Sequence, residues 1–197
     1  MPKILDYQLP TEQMFFTTKQ LNELGVSFYG IKKLVKAGTL IKLNSSVYEN
    51  ATYEGEESDF FYVTAYAPDG VVCQMSAARY YGLTTYWPDA VDVAIERRKK
   101  LSTVPDFPRF NVVYYSKKRY ELGIETISEG KNAFRIYDME KTVADILFYR
   151  NKVGIEETKE VLVNYLARKE RNLNKLHRYA KELRCEKILS TYLEVLL

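Results

Sequence analysis

Apolar and basic positions separate most cleanly along Ser27-Phe-Tyr-Gly-Ile-Lys-Lys-Leu-Val-Lys-Ala-Gly38. At about 100° per residue, Phe28, Ile31, Leu34 and Val35 make one stripe of a helix, while Tyr29, Lys32, Lys33 and Lys36 make another. Ser27 is placed to cap that helix, and Gly38 to end it in the left-handed conformation. A preceding helix is expected over Thr17 to Leu24, with Gly25-Val26 as the turn between the two. Thr39-Leu-Ile-Lys42 and Val47-Tyr-Glu49 then read as two short strands joined through Leu43 to Ser46. Helix, turn, helix and hairpin in this order make up a winged helix-turn-helix.

The pattern changes after the hairpin. Asp59 to Ala67 reads as a helix ended by the turn Pro68-Asp-Gly70, and Ser76 as the cap of a short helix, Ala77 to Tyr81, closed by Gly82. Past Pro88 the alternation is strand-like: Val91, Val93 and Ile95, then Phe110 to Tyr115, with shorter candidates at Ile124 to Ile127 and Phe134 to Tyr137. These predict a small antiparallel or mixed sheet. From Asp138, a cap, the period is helical through Leu197: Val143, Ile146 and Leu147 form a stripe stopped at Gly154, followed by Glu156 to Lys169, Leu173 to Leu183 and Glu186 to Leu197. The expected fold class is α+β: a winged helix-turn-helix over residues 1–50, begun by a short helix over Met1 to Leu9, then an α+β domain over 51–197 with a small sheet and a helical tail.

Composition narrows the chemistry. With 46% hydrophobic and 28% charged residues the chain suits a globular protein, and a net charge of only +3 means that any polyanion site must come from local clustering. Clusters are present at Arg97-Arg-Lys-Lys100 and Lys117-Lys-Arg119, and again from Arg168 to Arg184. Glu54, Glu56, Glu57 and Asp59 fit a solvated linker or helix start. In a winged helix the second helix enters the major groove, so Tyr29, Lys32 and Lys33 are placed to reach base edges and Lys36 and Lys42 to contact phosphate, with Ser27 at the helix start. Arg97, Arg98, Lys99, Lys100, Lys117, Lys118 and Arg119 would add phosphate contacts. The plainer reading is that these lysines solvate the outside of a structural helix; caps, turn and hairpin together favour the groove.

Other chemistry is thin. Cys73 and Cys185 lack the spacing of a metal or redox pair, and His177 sits among basic residues with a surface role, so no metal and no cofactor is expected. The 17 tyrosines suit half-buried packing and are also available for stacking on bases. Neither an export leader nor a membrane span is legible, and a cytoplasmic location is expected. The chain has no phosphate-loop, HExxH or GxSxG pattern, so no enzyme is expected. Two rivals stay open: a metal-dependent nuclease using Asp89, Asp92 and Glu96 beside the basic run, and a protein-interaction module docking through Leu193, Leu196 and Leu197.

Three stretches carry a family resemblance: Thr18-Lys-Gln-Leu-Asn-Glu-Leu-Gly-Val26, Ser76-Ala-Ala-Arg-Tyr-Tyr-Gly-Leu-Thr84, and Glu140-Lys-Thr-Val-Ala-Asp145 leading into Tyr149-Arg-Asn-Lys-Val-Gly154. On these, nearly the whole chain resembles abortive-infection antitoxins of the AbiEi type, from type IV bacterial toxin–antitoxin systems. The resemblance implies a transcriptional autorepressor that binds inverted repeats in its own promoter. It further implies partnership with a nucleotidyltransferase-like toxin, whose effect is countered without a stable complex. The family's hairpin often carries Arg-Gly before a Val-Tyr pair, whereas this chain has Ser45-Ser46, so its tip lacks a cation. Lys141 and Asp145, at i and i+4, read as a brace on an exposed helix face, and Ser76, Gly82 and Thr84 as caps and turns.

Overall fold

The computed structural model describes residues 7–101 and 103–196. It is α+β, with two sheets and the helices that cover them. Strand β1 (Phe15–Thr17) leads into helix α1 (Thr18–Glu23), where Thr17 and Gln20 form a reciprocal capping box. Helix α2 (Phe28–Lys36) follows, capped by the Ser27 hydroxyl, which accepts from Gly30 N at 3.2 Å. Gly38, at φ 76°, reverses the chain into β2 (Leu40–Lys42) and β3 (Val47–Asn50). The three strands pair antiparallel in the order β1-β3-β2. Their core is small: Leu9, Phe16, Leu21, Val26, Ile31, Leu40 and Tyr48, with Leu34 and Val35 at its margin. Phe28, expected on the buried stripe, is instead 67% exposed. It stands in the first turn, beyond the reach of that core, and carries Lys32 Nζ at 4.7 Å from its ring. The helix expected over Met1 to Leu9 falls, for its first six positions, outside the described residues, and Tyr7 to Leu9 are not helical.

Helix α3 (Asp59–Tyr66) then precedes the short strand β4 (Val71–Val72), helix α4 (Gln74–Tyr80) and strand β5 (Val91–Glu96). Next come β6 (Phe110–Tyr115), the single-turn helix α5 (Lys117–Glu121) and the hairpin of β7 (Ile124–Glu129) with β8 (Asn132–Tyr137). The second sheet has the order β6-β5-β4-β8-β7, with β5/β6 and β4/β8 parallel and the other pairs antiparallel. Val91, Val93 and Ile95 face α3, whereas Ala94 joins Tyr115 and Tyr137 on the other face. The strand therefore lies between two buried faces, as a central strand requires.

Helices α6 (Met139–Val153), α7 (Ile155–Leu166), α8 (Leu173–Glu182) and α9 (Glu186–Leu196) close the chain around Val143, Ile146, Leu147, Leu162, Leu176 and Leu189. Gly154, at φ 119°, breaks α6 from α7. Leu193 and Leu196 pack against this core and are partly buried; Leu197 lies outside the described residues. Among the described residues no helix is long and apolar enough to cross a membrane.

Several polar residues of the second and third stretches behind the resemblance are buried, among them Ser76, Thr84, Glu140, Lys141 and Asp145, whereas Thr18 to Val26 is mostly exposed. Asp138 caps α6 by accepting from Lys141 N at 2.8 Å and also accepts from Tyr179 of α8, while Lys175 of α8 lies 3.2 Å away. Glu140 accepts from Tyr165 of α7 and from Asn172 N. Lys141 and Asp145 do not brace an exposed face. Both side chains are fully buried, and Asp145 binds Lys141 and Arg119 together. Ser76 is not a cap either, since Cys73 stands at the N-cap of α4 and Ser76 lies within its first turn. Its hydroxyl accepts from Asp92 N at 2.9 Å, and its own N–H donates to the Asp92 carboxylate.

Candidate nucleic-acid interface

On α2 the apolar side is anchored by Ile31, 2% exposed, and by the partly buried Leu34 and Val35. Tyr29, Lys32, Lys33 and Lys36 all stand in solvent on the remaining surface, with Tyr29 69% exposed. Lys33 Nζ sits 5.0 Å from the Tyr29 ring, so ring and ammonium form one cationic, stacking-capable unit at the second turn. Ser27 lies at the helix start; its oxygen accepts from Gly30 N, and its hydroxyl proton can still serve a second partner.

Lys42 is exposed at the end of β2. Beyond it the hairpin tip is built by Asn44, whose Oδ1 accepts from Ser46 N and Val47 N at 3.0 Å each. The Asn44 amide donates to Ala65 O of α3, which ties the hairpin to the next element. Asn44 escaped the sequence reading, although an Asx residue ahead of a strand is a recognised turn signal.

The middle cluster splits. Arg97, Arg98, Lys99 and Lys100 follow β5 and are exposed, but Lys99 is already paired with Asp69 at 2.6 Å. Lys117 and Lys118 are exposed on α5 and lie 3.7 and 3.8 Å from Glu121 and Glu182. Arg119 was expected at DNA with them and is not available there. Its Nη1 donates to Asp145 at 2.5 Å and its Nη2 to Leu183 O, with the side chain 10% exposed. Two positions along a helix turn a side chain through about 200°, so Arg119 faces inward where Lys117 faces out.

The basic tail splits as well: Lys169, Arg171, Arg178, Lys181 and Arg184 are exposed, whereas Arg168 and Lys175 are engaged. Arg168 donates to Tyr81 O at 2.6 Å and to Gly82 O, and Lys175 bridges Asp138 and Glu140. Those two carboxylates raise the Lys175 ammonium above its ordinary range, outweighing the opposite effect of burial. His177 on α8 is half-buried.

Asp92 belongs to the fold. Burial pushes its carboxyl upward, against hydrogen bonds from Asn111 Nδ2 at 2.6 Å and from Ser76. Among the described residues, no three His, Cys, Asp or Glu side chains come together as a metal site would require. Both cysteines are buried, and burial holds Cys73 well above the ordinary thiol range and Cys185 at about 11.

Two groups of expected residues are thus each brought together locally: Tyr29, Lys32, Lys33 and Lys36 on one helix face, and Arg97, Lys118 and Arg119 around one cleft beside β6. The cleft's aromatic lining of Tyr114, Phe148 and Tyr149 was missed, though the pairs Tyr114-Tyr115 and Phe148-Tyr149 were legible as unusual aromatic neighbours. Compared with known proteins, the chain matches no family model and no curated protein.

Proposed function

We propose that the chain is a promoter-binding autorepressor and antitoxin of the AbiEi type. In this reading residues 1–50 act as a winged helix-turn-helix that recognises inverted repeats upstream of its own operon. The observation that carries it is the uncovered face of α2: Tyr29, Lys32, Lys33 and Lys36 are exposed while Ile31 anchors the opposite side. An exposed amphipathic helix following a capped helix and a tight turn suits the major groove, and Lys42 on the adjoining hairpin suits the flanking phosphate. Arg97, Arg98 and Lys100 supply further non-specific phosphate contacts. The partner in the cell is a nucleotidyltransferase-like toxin encoded alongside, whose effect is countered without a stable complex, in the cytoplasm and with no cofactor.

Footprinting of the DNA immediately upstream of the gene, repeated across a salt series, tests this. The reading expects symmetric protection of inverted repeats and an affinity whose logarithm falls by about 0.9 per phosphate contacted for each tenfold rise in salt. Equal, weak binding to every duplex, or none at low salt, would reject it. Co-expression with the neighbouring gene tests the antitoxin half: growth should be rescued, with the two proteins eluting separately.

A further inference from the structure

Two clefts share Arg97, Tyr114 and Tyr149 and run together as one groove beside β6 and the C-terminal half of α6. The smaller one encloses about 420 Å³, within the size range of small-ligand sites. Its charge is one-sided. Arg97, Lys118, Arg119 and Arg184 line it; Asp145 compensates Arg119 from behind and Glu182 lies 3.8 Å from Lys118, so the excess charge is that of Arg97 and Arg184.

The rings in it are held in place. Tyr149 stacks on the buried Tyr115, with ring planes 8° apart and centroids at 6.0 Å. Phe148 meets Tyr149 edge-on at 4.9 Å and packs against the Arg119 guanidinium at 3.9 Å, yet it keeps 39% of its surface exposed. Asp145 and Leu183 O fix that guanidinium from behind.

The backbone adds an independent sign. Among the described residues, Gln74 at φ 44° and Arg184 at φ 61° are the two non-glycine positions in the left-handed region, and both line this groove. Arg184 follows the last turn of α8, where Cys185 N bonds back to Ala180 O, a place that glycine fills at lower cost. Strained residues of this kind gather at ligand sites more often than elsewhere.

We propose that this groove binds a nucleoside phosphate, with its base laid on Phe148 and its phosphate held by Arg97, Lys118 and Arg184. Guanidinium forks match phosphate oxygens, and an exposed, immobilised ring accepts any planar base. Paired duplex DNA presents the phosphates but keeps its bases stacked, so this site is distinct from the α2 surface and does not depend on the promoter-binding reading, with which it shares only Arg97. The nucleotide unit is either free or the end of an unpaired strand.

Calorimetric titration of the full chain with adenosine, inorganic phosphate, AMP, a 5′-phosphorylated single-stranded hexanucleotide and a blunt duplex tests the proposal. AMP should bind at least about tenfold tighter than adenosine or phosphate alone. A hexanucleotide as tight as AMP identifies a strand end, and a weaker one identifies the free nucleotide; either supports the site. Phe148→Ala should weaken AMP binding about 5- to 150-fold, the range that base stacking is worth, with Phe148→Trp restoring it and duplex binding unmoved by both. Arg184→Gly should weaken AMP binding at least about fivefold while raising the melting temperature, because it removes the cation and relieves the backbone. AMP binding no tighter than phosphate, or unchanged in both Phe148→Ala and Arg184→Gly, overturns the proposal.

Discussion

Asp145→Asn probes the buried charges most sharply, because one carboxylate holds two cations inside the protein. The Asp145 and Lys141 side chains are fully buried and Arg119 is 10% exposed, so none of the three is relieved by solvent. Lys141 Nζ lies 4.0 Å from the Tyr137 ring and 5.1 Å from that of Tyr115, and burial already lowers its ammonium below the ordinary lysine range. The amide keeps the shape and opens no cavity. What it removes is the only negative charge among these three groups, leaving two cations in an aromatic setting, and breaking a buried pair in this way costs about 3–5 kcal/mol. For a chain of 197 residues each kcal/mol moves the midpoint by about 2–4 °C, so a fall of roughly 6–20 °C is expected by calorimetry at neutral pH. Lys141→Met should behave quite differently. It keeps most of the buried volume and leaves Arg119 and Asp145 as a one-to-one pair, which predicts a change within about 1.5 kcal/mol. A midpoint for Asp145→Asn within about 2 °C of the parent, or a Lys141→Met loss as large as that of Asp145→Asn, would refute the reasoning.

Three further outcomes follow from the same physics. Replacing Arg97, Arg98 and Lys100 by alanine should weaken binding to every duplex sequence alike and reduce the salt slope by about 0.9 for each phosphate that the variant no longer neutralises, measured by fluorescence titration, with Lys99→Ala adding less because Asp69 already holds it. A thiol reagent at pH 8 should leave Cys73 and Cys185 of the native protein unmodified and label both after denaturation, since both are buried and burial raises both thiols; rapid native labelling would contradict that placement. Glu160 accepts from Thr84 Oγ1 at 2.7 Å and Thr85 N at 2.9 Å, which holds its carboxyl below the ordinary 4.5. Its contribution is therefore present above that value and lost as pH falls through the lowered one, so acid denaturation curves of Glu160→Gln should show a shallower loss of stability below about pH 4.5.

Local signals were legible where they are strong. Ser27 and Asp138 cap the helices assigned to them, Gly38 stands at the left-handed break expected of it and Gly154 at the helix stop, because each depends on one residue and its immediate neighbours. Strands β1 and β4 were not seen: at three and two residues they have no period, and they exist through partners elsewhere in the chain. Spacing also says nothing of depth. Lys141 and Asp145 are neighbours on a helix in either case, and only the packing of α4, α7 and α8 around α6, with Arg119 of α5 and Tyr115 of β6 reaching in, puts them inside. The run Lys117-Lys-Arg119 looked like one patch because charge was counted along the chain, whereas the helix divides it between two faces. Phe28 joined the apolar stripe by angle alone, and the small core beneath α2 ends before reaching it.

The exposed face of α2 is the central functional claim, and Lys32→Ala and Lys33→Ala bear on it directly. Each is expected to weaken binding to the upstream inverted repeat by about 1–3 kcal/mol, roughly 5- to 150-fold in an electrophoretic titration, while binding to unrelated duplex falls far less. Both lysines are exposed, so the melting temperature should not move with either change. Unaltered operator affinity in both variants, at an unaltered melting temperature, would contradict the assignment of this helix to the groove.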